Sequence, residues 1–145
     1  MYVSECMRTT ITTVPPDMLA STAYQLMTAR RGSSIRHLPV VTAEGRLVGL
    51  VTDRDMRRVS ASDAPQMALY ELPALLAKLQ VQDVMTAPVI TVQGTTLLRD
   101  AGQLLLQKHI GCLPVVRDDN ILEGLLTVTD FLRTYVAQYD AGRKL

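Results

Sequence analysis

Residues 38–58 read LPVVTAEGRLVGLVTDRDMRR, and residues 113–133 read LPVVRDDNILEGLLTVTDFLR. Over these 21 positions ten pairs are identical: Leu38/Leu113, Pro39/Pro114, Val40/Val115, Val41/Val116, Leu47/Leu122, Gly49/Gly124, Leu50/Leu125, Thr52/Thr127, Asp55/Asp130 and Arg58/Arg133. Ordinary residue frequencies would give about one match. The chain therefore carries a duplicated unit, and that repeat organises every other reading. Each copy closes on glycine followed by T-x-x-D, from Gly49 to Asp55 and from Gly124 to Asp130.

Upstream, Met7 pairs with Met85 at a spacing of 78, whereas Leu38 pairs with Leu113 at 75. Three extra residues are thus expected in the first copy, within the Gly/Ser-rich stretch Arg30–Ser34. Each copy then reads alike. A short β-prone piece (Ile11–Val14, Val89–Val92) precedes a helix. Its apolar positions recur at helical spacing: Leu19, Ala23, Leu26 and Met27, then Leu97, Ala101, Leu104 and Leu105. Two β runs follow, Leu38–Val41 and Leu47–Val51 in the first copy, around a turn containing Gly45; Asp118-Asp119-Asn120 stands there in the second. A final helix begins after Thr52 or Thr127.

The order β-α-β-β-α, twice, predicts an α/β protein of the α+β type. Its expected boundaries are a first repeat over 1–60, a linker with a helix over 61–80, and a second repeat over 81–145. A unit of about sixty residues buries little surface, so the copies are expected to pack as one pseudo-two-fold module. Ser60–Pro65 reads as linker by composition. Gln66–Gln80 has helical periodicity, and Pro73 should kink that helix or start one within it. The last helix, from Asp130 to about Tyr139, presents Phe131, Leu132, Tyr135, Val136 and Tyr139, either to a partner or to the other copy.

The 145 residues carry a net charge of +1 and are 48% apolar. That charge gives no general attraction to nucleic acid or membranes, and one Phe with no Trp leaves few stacking platforms for bases. The distribution is uneven: eight basic against five acidic residues over 1–60, four against seven over 81–140. Cys6 and Cys112 form no CxxC, the N-terminus has no apolar signal core, and no run reaches membrane-spanning length, so a cytoplasmic protein is expected. His37, His109 and the cysteines show no metal-ligand spacing. No nucleophile, base and orienting group stand out, and Asp118/Asp119 reads as a solvated turn; the chain is not expected to be an enzyme.

The T-x-x-D corner supports two readings. Thr52 can cap the following helix while Asp55 reaches back, as in a capping box, and this needs no ligand. A strand entering a helix also presents free N–H groups and the positive end of a dipole, an anion seat. There Thr52 supplies a hydroxyl, Asp55 a carboxylate able to accept bonds from a ribose diol, and Arg54 a charge for phosphate. The second copy repeats this with Thr127, Thr129 and Asp130, Thr129 standing in place of Arg54. Arg54, Arg57 and Arg58 form a basic cluster that is either a solvated face or a phosphate clamp.

In its β-α-β-β-α pair, the duplicated LPVV and the G-h-x-T-x-x-D motif, the chain resembles tandem CBS-domain proteins, the Bateman modules. The segment from Ser62 to Leu79 is similar, more loosely, to the linker of bacterial CBS proteins of the acetoin-utilisation type. The resemblance implies a regulatory module binding adenosine-containing ligands in clefts between the paired copies: AMP, ADP, ATP, NAD or S-adenosylmethionine. Carried over by position, Thr52, Asp55, Thr127 and Asp130 would hold ribose and phosphate. Adenine would contact Ile11 and Val89 at the start of the first strands. It would also meet the residues before LPVV: Ile35, Arg36 and His37, then Ile110, Gly111 and Cys112. The Arg30–Ser34 insertion borders the first of these pockets.

Sensing rather than catalysis is the implied function, as a homodimer acting on a separate regulated protein. The alternative is a ligand-free oligomerisation scaffold in which both motifs only cap helices. If ligands bind, the charge split favours the more phosphate-rich one at the first copy.

Overall fold

The computed structural model describes residues 1–29, 35–63 and 72–142, with the backbone alone over 60–63. The expected Arg30–Ser34 insertion and the helical stretch from Gln66 to Glu71 lie outside the described residues. The chain divides into two compact units, Thr12–Val89 and Met1–Ile11 with the segment from Ile90 onward. The cut does not follow the covalent repeats. Each repeat's leading residues are built into the unit that holds the other repeat's hairpin.

In the unit Thr12–Val89, helix α1 (Ala20–Thr28) precedes a hairpin of β1 (His37–Val41) and β2 (Leu47–Thr52). The strands are antiparallel, with His37 opposite Thr52 and Val40 opposite Gly49. The turn closes through Gly45 at φ 85°, a left-handed conformation that glycine adopts without a Cβ penalty. Helix α2 (Asp53–Asp63) leaves directly from β2, followed by α3 (Leu72–Leu76) and α4 (Val81–Val84). Pro73 sits in the first turn of α3, where its missing N–H costs no helical bond. Val14, Ala23, Met27, Leu38, Val40, Val51, Met56, Leu76 and Val81 form one buried cluster.

The other unit repeats the plan with α5 (Leu98–Lys108), β3 (Cys112–Arg117), β4 (Ile121–Thr127) and α6 (Val128–Asp140). Cys112 faces Thr127 and Val115 faces Gly124. Its turn takes Asp119 and Asn120 through φ 62° and 61°, using residues that tolerate the left-handed region in place of glycine. Val3, Ala101, Leu105, Leu113, Val115 and Leu126 make the second core.

Three expectations change. Of Ile11–Val14 and Val89–Val92, only Val14 and Val92 join a ladder, each as a single parallel bridge to Val40 and Val115. Pro15 and Pro16 follow Val14 and cannot donate to a strand. The composition of Ser60–Asp63 suggested linker, yet the α2 backbone continues through Asp63. Finally, Leu19 and Leu97 precede their helices and are exposed, so the buried faces are Ala20-Ala23-Met27 and Ala101-Leu105.

The opposite edge of each hairpin is extended by a leader. Leu50 and Thr86 exchange backbone hydrogen bonds at 3.0 and 2.8 Å, and Arg8 and Leu125 exchange a pair at 2.9 Å. Thr86 and Arg8 are equivalent at the 78-residue spacing noted for the methionines.

Candidate functional site

Each hairpin delivers its T-x-x-D motif to a strand-to-helix corner. At the first, Thr52 donates to Asp55 Oδ2 through its backbone N (2.8 Å) and through Oγ1 (3.0 Å), while Asp55 N donates to Thr52 Oγ1 (3.1 Å). At the second the same three bonds run between Thr127 and Asp130 at 2.9, 2.7 and 3.3 Å. Both are capping boxes with aspartate as the reciprocal acid, and each carboxylate lies in the first turn, where the helix dipole favours it. The local reading of the motif is thus realised in full: each aspartate folds back onto its own helix start.

Only one oxygen of each carboxylate is used this way. Asp55 Oδ1 accepts from Thr86 Oγ1 at 3.2 Å. Asp130 Oδ1 accepts from Arg133 Nη1 at 3.1 Å and lies 3.4 Å from Arg8 Nε. Asp55 and Asp130 are 7% and 3% exposed. Buried charge is costly without partners, which explains why both oxygens of each are engaged.

The strand register explains how residues distant in sequence meet. His37 stands directly across from Thr52, and Cys112 across from Thr127. The carbonyls of Arg36 and Gly111 accept from the first helical N–H groups, Asp53 N at 3.2 Å and Val128 N at 3.1 Å. These expected site residues therefore converge on their corners. Ile35 and Ile110 instead pack, half-buried, against the two cores. Arg54 and Thr129 are exposed on the first turns of α2 and α6. Ile11 belongs to the unit of the Asp130 corner and Val89 to that of the Asp55 corner, the reverse of their order along the chain.

Burial pushes the Cys112 thiol up to about 12; Arg8 opposes the rise and Asp130 adds to it. Cys112 is a neutral, inert wall here. Beside Asp55 lies an open groove of about 510 Å³ lined by Asp55, Arg58, Val59, Asp83, Val84, Met85 and Thr86. Arg8, Thr86, Asp83 and Arg133 escaped the sequence reading. The 78-residue spacing marked the leaders as equivalent, but nothing local says that a leader pairs with the other copy's hairpin.

A CBS domain model matches residues 3–62 and 81–137. The chain belongs to the CBS-domain family. Along nearly its whole length this CBS pair is similar to a CBS domain-containing protein of Dictyostelium discoideum, 30% identical over 134 residues, 91% of this chain and 89% of that one. The crystal structure of AcuB, a protein assigned to acetoin utilization in Vibrio cholerae, shares the fold at a TM-score of 0.80. It is 25% identical and covers 100% of this chain and 98% of its own. CBSX2 of Arabidopsis thaliana, solved in complex with AMP, gives a TM-score of 0.77 at 29% identity, covering 94% of this chain and 96% of that one.

Larger enzymes also match. Inosine-5'-monophosphate dehydrogenase of Bifidobacterium longum is 38% identical over 101 residues, 69% of this chain but 16% of the enzyme. Homoserine O-acetyltransferase of Methanocorpusculum labreanum is 38% identical over 96 residues, 66% of this chain and 17% of the enzyme. The chain spans less than a fifth of the length of these curated relatives. Among the described residues no helix is long and apolar enough to cross a membrane.

Proposed function

We propose that this CBS pair is a regulatory module that binds adenosine-containing ligands at its two Thr–Asp corners and passes their occupancy to a separate protein. The observation that carries the reading is the division within each carboxylate. Oδ2 closes the helix cap, while Oδ1 is left to exchangeable side-chain donors: Thr86 at Asp55, and at Asp130 the leader's Arg8 together with Arg133 from its own helix. At Asp55 a ribose diol donating to Oδ1 takes over the bond of the Thr86 hydroxyl at small net cost, because one hydroxyl donor replaces another. At Asp130 it joins exposed arginines, from which solvent or a phosphate can accept. His37 with Arg36, and Cys112 with Gly111, flank the base. The groove beside Asp55 falls within the usual size of small-molecule sites, roughly 300–1,000 Å³. The AMP complex of CBSX2 supports the ligand class, which we take as AMP, ADP, ATP, NAD or S-adenosylmethionine.

The working assembly is a homodimer of chains with repeats over 1–60 and 81–145 joined by 61–80. Val128, Leu132, Tyr135, Val136 and Tyr139 support it by forming an exposed apolar stripe on α6. Both capping boxes close with the chain's own groups, which favours a second reading, a scaffold for oligomerisation alone. A thermal-shift series with the five compounds, and guanosine nucleotides as controls, separates the two. A site held at a hundred times its Kd stabilises by about 2.7 kcal/mol, or roughly 8 °C for a chain of this size. No shift with any adenosine compound leaves the scaffold.

A further inference from the structure

The two corners share a backbone but differ in the residue that meets the free carboxylate oxygen. Thr86 and Arg8 occupy the same place: each exchanges two backbone bonds with the equivalent leucine, Leu50 or Leu125, and each directs its side chain at Oδ1. One offers a neutral hydroxyl, the other a guanidinium. Arg133 adds a second cation to Asp130, whereas its repeat counterpart Arg58 shares the Asp55 groove with a second carboxylate, Asp83. Among the described residues, Asp130 is thus in contact with two arginines and Asp55 with a neutral hydroxyl; the acid Asp83 is matched in the other leader by Glu5 and does not distinguish the corners. Arg54 is exposed and outside the groove lining, so it does not take the place that Arg8 holds at the other corner.

We infer that the corners are tuned to ligands of different charge: the Asp130 corner takes the phosphorylated adenosine compound, the Asp55 corner one without phosphate, and Arg8 sets the preference. This rests on the adenosine-sensing reading above. A guanidinium has five donors, and Arg8 and Arg133 make the Asp130 contact through Nε and Nη1 respectively. Their side chains are 51% and 69% exposed, so the remaining N–H groups of a charge-paired fork stand open to a phosphate one sugar away from the carboxylate. The assignment reverses the one that whole-segment charge suggests. The surplus over 1–60 comes partly from Arg8, whose charge is delivered to the other copy's corner.

The test is calorimetric titration of the full chain with AMP and with adenosine, which differ only in the phosphate. Wild type is expected to bind AMP more tightly at one of its two sites. Arg8→Thr should weaken that AMP site by about ten- to a hundredfold, the range for a lost bond to a charged group, and so lower the ratio of AMP to adenosine affinity there. Thr86→Arg should strengthen AMP binding at the other site, a gain that misfolding cannot mimic. If both variants keep the wild-type ratio of AMP to adenosine affinity, the charge assignment is overturned and the sensing reading stands. If wild type binds neither compound, the charge assignment is overturned, and the thermal-shift series with the other adenosine compounds decides the sensing reading separately.

Discussion

Met85 occupies the space that a side chain on Gly49 would need: a Cβ there would meet the Met85 sulfur and lie 2.9 Å from its Cγ. Met7 fills the same notch over Gly124. The glycine that opens each duplicated motif is therefore a seat for the other repeat's leader, one residue ahead of the group that touches the aspartate.

Alanine at these glycines should destabilise unequally. At Gly49 the obstructing atoms all belong to the flexible Met85 side chain, which can swing away. At Gly124 a Cβ would also meet the Arg8 carbonyl oxygen at 3.2 Å, which is held by its ladder bond to Leu125. Gly124→Ala is expected to cost about 1–3 kcal/mol, the range for overpacking, and Gly49→Ala less. Urea unfolding of both variants checks the order; equal losses would contradict it.

Removing a cap hydroxyl should lower stability at either corner. Thr52→Ala and Thr127→Ala each lose a capping acceptor and the Oγ1 donor to Oδ2. About 1–2 kcal/mol per substitution is expected. Serine at the same positions should retain most of it, and thermal unfolding distinguishes the two.

The cysteines should differ in reactivity. Cys112 is buried with its thiol pushed up to about 12, whereas Cys6 is half-buried. A thiol reagent at pH 8 should label one equivalent rapidly in the folded protein and two after denaturation. The same rise sets a stability trend. A thiol that resists ionisation when folded, from an ordinary value of 9.0, lets the unfolded chain release its proton first. The stabilisation is complete below about pH 9 and declines as pH climbs toward 12. Cys112→Ala should flatten that alkaline decline.

The α6 stripe should govern assembly. Leu132 is 62% and Tyr139 72% exposed, on the same side of the helix as Val128 and Val136. Leu132→Glu with Tyr139→Glu is expected to convert a dimer to monomer in sedimentation velocity, with little loss of monomer stability because neither residue packs in a core.

The hairpins, the helices after Thr52 and Thr127 and the capping boxes were legible because their causes are local. Alternation, turn residues and a three-residue reach between threonine and aspartate all lie within a few positions. Leu19 and Leu97 fit the helical spacing yet stand one residue before their helices, since an apolar residue just before a helix is indistinguishable by periodicity from one inside it. The α2 extension through Asp63 was missed because Ser and Ala in a helix read as linker when no packing is visible.

From its order of residues alone, this chain determined that it is a CBS pair, that two strand-to-helix corners exist, and that each would carry a hydroxyl and a carboxylate three residues apart. Which residues face those carboxylates was decided only in three dimensions. Thr86 reaches Asp55 from 31 positions away, and Arg8 reaches Asp130 across most of the chain. Edge pairing of this kind depends on which hairpin a leader meets in space. Backbone donors and acceptors are the same on every edge, so no pattern of side chains announces the choice.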